Sequence, residues 1–460
     1  MYIRDTIAAI ATPLGSGGVG IVRVSGPDAE QIGRKVFNGS GTKIGGGFES
    51  HRLFYGRLIN PMDGSLIDEG MAVLMRNPRS YTREDVLELH CHGGYFLVRA
   101  VLQACISVGA RLAEPGEFTR RAFLNGRIDL AQAEAVMDLI ASRTERSLSL
   151  AQSQREGHLS RSLAALKAPL VETLALVEAH IDFPEDEVDP AVFGVIESKV
   201  ASVSASISRL LASFTTGKVL REGVSILLLG LPNAGKSSLL NALSGTDRAI
   251  VSALPGTTRD LIEETVSLQG LAVKIIDAAG IRAHHADCVE QEGVRRALDK
   301  ATEADLVLLL ADGTTPLNDE LSKLIATLGA LPYLLVVTKS DLPQRLDLSG
   351  FVSPLGVCSV SARSRAGIDH LASLIYDHFV QSAVFSSDDG AVVSNVRHRD
   401  ILIRVRQSLA SFTDNLGMGL PPELLALDVR AALDALGEIT GETTTDDLLD
   451  LIFSSFCIGK

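Results

Sequence analysis

The chain has 460 residues, a net charge of −13 and 46% hydrophobic residues, which is typical of a globular protein with two to four domains. The net negative charge excludes a uniformly basic surface for binding nucleic acid. No apolar run is long enough to cross a bilayer, and the first residues lack the pattern of an export signal. Five scattered cysteines without a Cys-x-x-Cys pair predict free thiols in a reducing, cytoplasmic compartment, not a disulfide framework or a zinc site.

Residues 1–119 predict an α+β domain, because short β-like runs alternate with turns and with helix-like stretches at 29–36 and 96–107. The glycine-rich segment Gly15–Gly20 lacks a following Gly-Lys-Ser and opens a strand, which favours a tight turn over a nucleotide loop. His90-Cys91-His92 is a weak metal motif, because adjacent residues on a strand face opposite sides and three in a row cannot bind one ion. A structural loop is the favoured interpretation there.

The next segment, 120–216, predicts long helices, because apolar residues recur at spacings of three and four. Helical periodicity resumes over 381–460. Between these two segments, strand-like and helix-like runs alternate over 217–380, which predicts a doubly wound, mostly parallel sheet. The sequence therefore predicts a multidomain chain: an N-terminal α+β domain, then an all-α helical domain into which an α/β phosphate-loop domain is inserted.

The strongest motif is Gly230-Leu-Pro-Asn-Ala-Gly235-Lys236-Ser237-Ser238, which follows the apolar run 224–229 and precedes a helix-like run. This strand, loop and helix context is that of a phosphate-binding loop. Backbone N–H groups and the helix N-terminus bind phosphate oxygens, Lys236 reaches the β- and γ-phosphates, and Ser237 binds Mg²⁺.

Four further segments follow in the order that a guanine-nucleotide hydrolase requires. Thr258 lies in a polar loop, where it completes the Mg²⁺ shell, and Asp277 begins a segment that ends in Gly280 and holds Mg²⁺ through water. Asp341 accepts hydrogen bonds from the guanine N1 and N2 edge, which adenine does not offer. Ser361 begins a segment that closes over the base.

Two positions depart from the usual pattern. Ala278 stands where a threonine is common, which removes a hydroxyl, and Thr338 stands where an asparagine is common, which replaces an amide with a hydroxyl. Asp341, which reads the guanine, is retained. The predicted nucleotide contacts are Asn233, Ala234, Gly235, Lys236, Ser237, Ser238, Ser252, Ala253, Leu254, Pro255, Gly256, Thr257, Thr258, Asp277, Ala278, Ala279, Gly280, Thr338, Lys339, Asp341, Ser361, Ala362 and Arg363.

The whole chain resembles the MnmE (TrmE) family of tRNA-modification GTPases. The segments that carry the resemblance are Gly17-Gly-Val-Gly-Ile-Val-Arg23, Glu84-Asp-Val-Leu-Glu88-Leu, Pro115-Gly-Glu-Phe-Thr, Arg121-Ala-Phe-Leu-Asn, the phosphate loop, Gly256-Thr-Thr-Arg-Asp260 and the ending Phe456-Cys-Ile-Gly-Lys460. The resemblance implies a homodimer whose N-terminal domain binds a 5-formyltetrahydrofolate-type carrier. The implied folate contacts are Arg23, Glu88, Arg127 and Lys460, with Arg127 at a position where a lysine can occur.

The resemblance also implies GTP hydrolysis that depends on K⁺ and on dimerisation of the nucleotide-binding domains, without an arginine finger. The implied K⁺ ligands are Asn233, Ser252, Thr257 and the backbone carbonyl of Leu254. Glu290 is implied to position the attacking water, with Glu292 as the alternative, because the preceding loop is one residue longer than expected.

With the flavoprotein partner MnmG, which carries FAD and uses NADH, the family installs a carboxymethylaminomethyl or aminomethyl group at C5 of the wobble uridine of certain tRNAs. The resemblance raises Cys457 from a tail residue to a catalytic candidate, and a nucleophilic and a structural role both remain open for it. A ribosome-assembly or translation-type GTPase is the alternative that the nucleotide motifs alone leave open, as is a folate-dependent enzyme with a vestigial nucleotide domain.

Overall fold

The computed structural model describes residues 5–39, 47–182, 190–245, 263–277, 301–329, 331–347, 355–380 and 391–459. The strands are β1 (Ile7–Ile10), β2 (Gly17–Ser25), β3 (Phe37–Gly39), β4 (Leu53–Ile59), β5 (Leu66–Met75), β6 (Val86–Gly93), β7 (Arg111–Leu112), β8 (Val224–Gly230), β9 (Glu263–Leu268), β10 (Leu271–Asp277), β11 (Leu306–Asp312), β12 (Tyr333–Thr338) and β13 (Val357–Ser359).

The helices with defined bounds are α1 (Ala29–Val36), α2 (Tyr95–Ser107), α3 (Glu117–Leu124), α4 (Leu130–Ala141), α5 (Glu145–Arg155), α6 (His158–Asp182), α7 (Pro190–Ala212), α8 (Phe214–Glu222), α9 (Lys236–Ser244), α10 (Asp319–Leu328), α11 (Ile368–Phe379), α12 (Val396–Gly417), α13 (Pro422–Thr440) and α14 (Asp446–Ser454). The chain divides into two compact units, Met1–Met137 together with Gly437–Lys460, and Asp138–Leu436.

The first unit is built on a seven-stranded sheet with the order β3-β4-β5-β6-β2-β1-β7. Neighbouring strands are antiparallel except β1 and β7. Side chains alternate between the two faces of a strand, so Val22 and Val24 of β2 and Leu87 and Leu89 of β6 lie in the core. The residues between them therefore share the other face, and Arg23 lies directly opposite Glu88.

The segment His90-Cys91-His92 belongs to β6, so the expectation of a structural loop was wrong. The local sequence Val-Leu-Glu-Leu-His-Cys-His alternates in polarity and β6 pairs with strands on both sides, which is the stronger signal for a strand. Cys91 is buried while His92 is exposed, as the alternation of a strand requires. Among the described residues, no group of three or more His, Cys, Asp or Glu side chains is arranged to hold a metal ion.

The second unit contains a six-stranded sheet with the order β13-β12-β11-β8-β10-β9. All neighbouring strands are parallel except β9 and β10, in agreement with the predicted mostly parallel sheet. In the sheet, β10 and β9 lie on one side of β8, and β11, β12 and β13 lie on the other. The direction in which successive strands are added therefore reverses at β8. The crevice beyond the carboxyl end of such a strand is where open α/β sheets bind their ligands.

Helices precede and follow this sheet in sequence and pack together in the same unit. α6 contacts α7, and α7 contacts α12. Buried residues on α6 recur at the spacing of three and four that predicted a helix; they are Leu159, Leu163, Leu166, Leu170, Thr173 and Val177. The segment with the six-stranded sheet is therefore flanked at both ends by helices that pack against each other. None of the described helices is long and apolar enough to cross a membrane.

Candidate nucleotide-binding site and N-terminal charged cluster

The phosphate loop lies between β8 and α9, at the point where strand order reverses. Asn233 has φ 62° and Gly235 has φ 91°, and these left-handed conformations turn the backbone sharply into the helix. At Gly230 a Cβ atom would lie 2.6 Å from the Leu310 carbonyl oxygen, so the close approach of β11 requires glycine. Gly235 caps α9 without a side-chain hydrogen bond, which leaves the first N–H groups of the helix available to an anion.

Lys236 is the first residue of α9, and its side chain folds back over the loop. Its Nζ donates to the carbonyl oxygens of Gly230 and Leu231, each at 2.9 Å. Ser237 follows and is exposed, so its hydroxyl is accessible to a cation at the start of the helix. This set of a backbone cradle, an ammonium group and an exposed hydroxyl fits a phosphate group with Mg²⁺, which prefers oxygen ligands.

A pocket of about 200 Å³ opens beside the phosphate loop. We call it the guanine pocket; its lining residues are Gly235, Ser238, Leu239, Thr338, Lys339, Asp341, Leu342, Val360, Ala362 and Arg363. These residues come from the phosphate loop, the end of β12 and the segment after β13. The structure thus brings three of the predicted motifs together at one edge of the sheet.

Asp341 is held in an orientation suited to recognition of a base. The Ser361 hydroxyl donates to Asp341 Oδ1 at 2.7 Å, and Ser361 Oγ accepts from the Ser364 backbone N–H at 3.1 Å. The Ser361 hydrogen bond, a backbone hydrogen bond and the Arg363 guanidinium lower the pKa of Asp341. An ionised carboxylate only accepts hydrogen bonds, which matches the two donors on the guanine N1 and N2 edge.

Thr338 connects the phosphate loop to the base-binding segment. Its hydroxyl lies 2.8 Å from the Ala234 carbonyl oxygen and 3.2 Å from that of Ala311, and the side chain is buried. The hydroxyl that replaces the usual amide therefore reaches the phosphate loop. Ala234 itself is buried, so it contributes through its backbone and its packing.

Asp312 contacts this site, and the sequence motifs did not identify it. It ends β11 and binds the Lys339 ammonium at 2.6 Å. The signal that could have found it is an acidic residue directly after a buried parallel strand, since the carboxyl ends of parallel strands meet at one edge of the sheet.

Several predicted residues lie outside the described part of the chain. They are Ser252, Ala253, Leu254, Pro255, Gly256, Thr257, Thr258, Ala278, Ala279, Gly280, Glu290, Glu292 and Lys460. Asp277 ends β10, where its backbone pairs with Leu228 of β8. The backbone of Asp277 is thus placed at the same edge of the sheet as the phosphate loop.

A second group of predicted residues lies on the sheet of the first unit. We call Arg23, Tyr81, Glu88, His90 and Arg127 the Arg23 cluster. Arg23 Nε and Nη2 each lie 2.9 Å from Glu88 Oε1, and His90 Nε2 lies 3.5 Å from Glu88 Oε2. The neighbouring His90 imidazole and then the Arg23 guanidinium lower the pKa of Glu88, although burial acts in the opposite direction.

Tyr81 joins the two arginines of this cluster. The Arg23 guanidinium lies 5.5 Å and that of Arg127 4.9 Å from the centre of its ring, within the range of cation–π attraction. Arg127 Nη1 also donates to the Tyr81 carbonyl oxygen at 2.7 Å, and Arg23 Nη1 donates to the Gly459 carbonyl oxygen at 3.3 Å. The C-terminal tail therefore reaches this cluster, and the cluster offers guanidinium groups and a carboxylate that fit a ligand with both anionic and donor groups.

Cys457 lies in the same tail and is exposed, whereas the other cysteines within the described ranges, Cys91, Cys105 and Cys358, are buried. Burial raises the pKa of Cys105 to about 12 and that of Cys91 to about 11, so these two thiols are poor nucleophiles. The Gly116 backbone N–H donates to the Cys457 carbonyl oxygen at 3.4 Å. Cys457 is thus accessible and tethered through its backbone.

Comparisons with known proteins identify the family. A family model described as the GTP-binding protein TrmE N-terminus matches residues 6–127, and one described as the MnmE helical domain matches residues 130–457. The chain is 52% identical to the tRNA modification GTPase MnmE of Geobacter metallireducens and 52% identical to that of Geobacter sulfurreducens, with 100% of each chain covered. The corresponding protein of Geobacillus thermodenitrificans is 43% identical, with 99% of each chain covered. The chain therefore belongs to the MnmE family of tRNA modification GTPases.

Proposed function

We propose that this chain is a K⁺-activated GTP hydrolase that acts, together with the flavoprotein MnmG, on C5 of the wobble uridine of certain tRNAs. The product is a carboxymethylaminomethyl- or aminomethyluridine, and FAD and NADH belong to the partner. The observation that carries the proposal is the guanine pocket, which opens beside the phosphate loop. In this pocket the Asp341 carboxylate is held by a hydrogen bond from Ser361. Full-length identity of 52% to relatives named tRNA modification GTPase supports the same reaction.

The predicted residues of the nucleotide site have separate tasks in this proposal. Asp341 pairs with the guanine N1–H and N2–H groups, and an adenine would leave its carboxylate unpaired. Lys236 and the N–H groups at the start of α9 bind the phosphates, and Ser237, Thr258 and, through water, Asp277 would hold Mg²⁺. Glu290 or Glu292 orients the attacking water.

Asn233 is the described residue that we assign to K⁺. It is exposed in the phosphate loop, where its backbone is left-handed (φ 62°), so its side chain is accessible to a cation. A monovalent cation held there would supply the charge that an arginine finger supplies elsewhere, on the order of 10³–10⁵ in rate. Ser252, Thr257 and the Leu254 carbonyl would complete the ligand set when two nucleotide-binding domains meet.

We assign the Arg23 cluster to a tetrahydrofolate-type carrier. Arg127 is exposed and available to an anionic group, whereas Arg23 is half-buried and fixed by Glu88 and Gly459. Lys460 follows Gly459 directly and completes the proposed contacts. Cys457, exposed in the same tail, is the candidate for chemistry on the one-carbon unit or the uridine, and a homodimer that binds MnmG in the cytoplasm is the proposed assembly.

Nucleoside analysis of tRNA tests the proposed reaction. A strain that lacks this gene is complemented with the unaltered chain or with Asp341→Asn, and wobble uridines are quantified by mass spectrometry. The C5 modification should return with the unaltered chain and stay absent or strongly reduced with the variant. Unmodified uridine in both strains, with both proteins expressed, would contradict the proposal and favour a switch GTPase without a modification role.

A further inference from the structure

Asp312 lies directly behind the guanine pocket, where it contacts the lining residue Lys339, and no motif assigns a role to it. It is the last residue of β11, and its backbone pairs with Thr338 of β12. Only 17% of its side chain is exposed. A carboxylate that is largely buried needs hydrogen-bond partners for its oxygens. The role of Asp312 can therefore be inferred from these partners.

The two carboxylate oxygens of Asp312 have separate partners. Oδ1 accepts from the Thr314 backbone N–H at 2.9 Å and from the Thr314 hydroxyl at 2.7 Å, which fixes the turn after β11. Oδ2 accepts from Lys339 Nζ at 2.6 Å. Burial raises the pKa of Asp312, but the hydrogen bonds from Lys339 and Thr314 outweigh it and lower the pKa on balance, so the group is ionised at neutral pH.

Lys339 lines the guanine pocket, so the position of its side chain affects the shape of the pocket. Lys339 has φ 58°, an uncommon conformation for a residue with a side chain, and it lies between Thr338 and Asp341 in the wall of the pocket. A lysine side chain has four flexible carbons. The bond to Asp312 fixes the ammonium end, so the carbon stem stays in one position along the pocket wall.

We propose that Asp312 is a positioning residue for the guanine nucleotide, which acts by holding Lys339 as a wall of the pocket. Holding a wall before the ligand arrives lowers the ordering cost of binding. Asp312 contributes no contact of its own to the nucleotide in this arrangement. The inference rests on the proposed guanine-nucleotide binding and adds a residue that determines affinity.

A double-mutant cycle on the full-length chain tests the inference, with a fluorescent GDP analogue as the probe. Asp312→Asn keeps an oxygen for Thr314 and replaces the oxygen that binds Lys339, so the dissociation constant should rise about fivefold, as expected for one partly exposed charged hydrogen bond. Lys339→Met should also weaken binding. In the Lys339→Met background, Asp312→Asn should have no further effect, because the partner through which it acts is gone.

Thr314→Val is the matched control, since it removes the hydroxyl bond to Oδ1 and leaves the bond between Oδ2 and Lys339. Its dissociation constant should stay within about twofold of that of the unaltered chain. Thermal unfolding by circular dichroism checks each variant, and Asp312→Ser replaces Asp312→Asn if the latter does not fold. If both variants fail to fold, Asp312 is required for the stability of the fold, and the inference is overturned.

Equal affinity of Asp312→Asn and the unaltered chain, or purely additive effects in the cycle, would also overturn the inference while leaving the proposed function intact. A different result separates the two: if the unaltered chain binds no guanine nucleotide, the proposed function itself falls, and the inference falls with it.

Discussion

The guanine pocket and the Arg23 cluster show two ways in which one chain builds a ligand site. The guanine pocket uses contiguous segments at the carboxyl ends of parallel strands. The Arg23 cluster uses single side chains from β2, β6, the segment before β6 and the segment between α3 and α4, and it contacts a backbone carbonyl of the C-terminal tail. A site like the guanine pocket can be recognised as motifs in the sequence. A site like the Arg23 cluster consists of residues that are isolated in sequence and are brought together by the fold.

The largest expected effect concerns the carboxylate that reads the base. Asp341→Asn replaces an acceptor with an amide donor that faces the donors of guanine, so GTP affinity should fall at least about 100-fold. Affinity for xanthosine triphosphate should rise, because that base offers an acceptor at C2. Fluorescence competition with both nucleotides measures the change.

The control for this variant is Asp369→Asn. Asp369 lies in the first turn of α11 and does not line the guanine pocket. Its substitution should leave GTP affinity within about twofold. An equal loss in both variants would mean that net charge, not recognition of the base, determines affinity.

The next effect concerns stability of the unit that holds the Arg23 cluster. Arg121 is 1% exposed and binds Asp5 at 2.6 Å, Glu117 at 2.9 Å and Glu84 at 3.2 Å. Arg121→Met would remove this buried cation from three carboxylates, of which Asp5 and Glu117 also bind Arg111, and it should lower the free energy of unfolding by about 3 kcal/mol. Urea denaturation measures this change.

Arg52→Met is the matched variant in the same unit. Arg52 pairs with Glu49, and both side chains are about two-thirds exposed, so the expected loss is below about 0.5 kcal/mol. Similar losses for Arg52→Met and Arg121→Met would show that burial of the ion cluster does not stabilise this unit.

A smaller effect is expected from the bond between the phosphate loop and the base-binding segment. Thr338→Val keeps the shape of the buried side chain and removes the hydroxyl that reaches the Ala234 carbonyl. Affinity for GDP should fall about fivefold, as for the loss of one buried neutral hydrogen bond. Thr338→Ser should retain most of the affinity; if valine and serine bind GDP equally well, the hydroxyl has no role in holding the loop.

The last effect, of similar size, is a change in pH dependence. The pKa of Glu88 is lowered in the folded chain, so its stabilising contribution is present at neutral pH and is lost as the pH falls from its ordinary value of about 4.3 through the lower folded value. Glu88→Gln should cost about 1 kcal/mol near pH 7. The difference from the unaltered chain should shrink below about pH 4, as measured by urea denaturation across pH; a difference that grows with acidity would contradict the assignment.

The phosphate loop was predictable from the sequence because its signal is local: the motif and the apolar run before it are contiguous. Gly235 and Lys236 follow a buried strand and begin a helix, and this order alone places them. The apolar run 224–229 likewise predicted β8 (Val224–Gly230) to within one residue.

The remaining features depend on pairing between distant segments. Nothing in the local sequence of Arg23 or Glu88 indicates that they are cross-strand neighbours, so only the resemblance to a family connected them. The ring of Tyr81 and the carboxylate of Asp312 have no motif at all, because their roles come from which side chains the fold places beside them. The wrong expectation of a loop at His90-Cys91-His92 is different, because the alternation of polarity over 86–92 is a local signal for a strand.

The most direct test of the account is GTP turnover by the purified full-length chain in KCl and in NaCl at equal ionic strength, with saturating Mg²⁺. The account predicts that turnover in KCl exceeds that in NaCl at least about tenfold, because a cation of the right size would supply the positive charge that stabilises the phosphates in the transition state. Equal, slow turnover in both salts would contradict it.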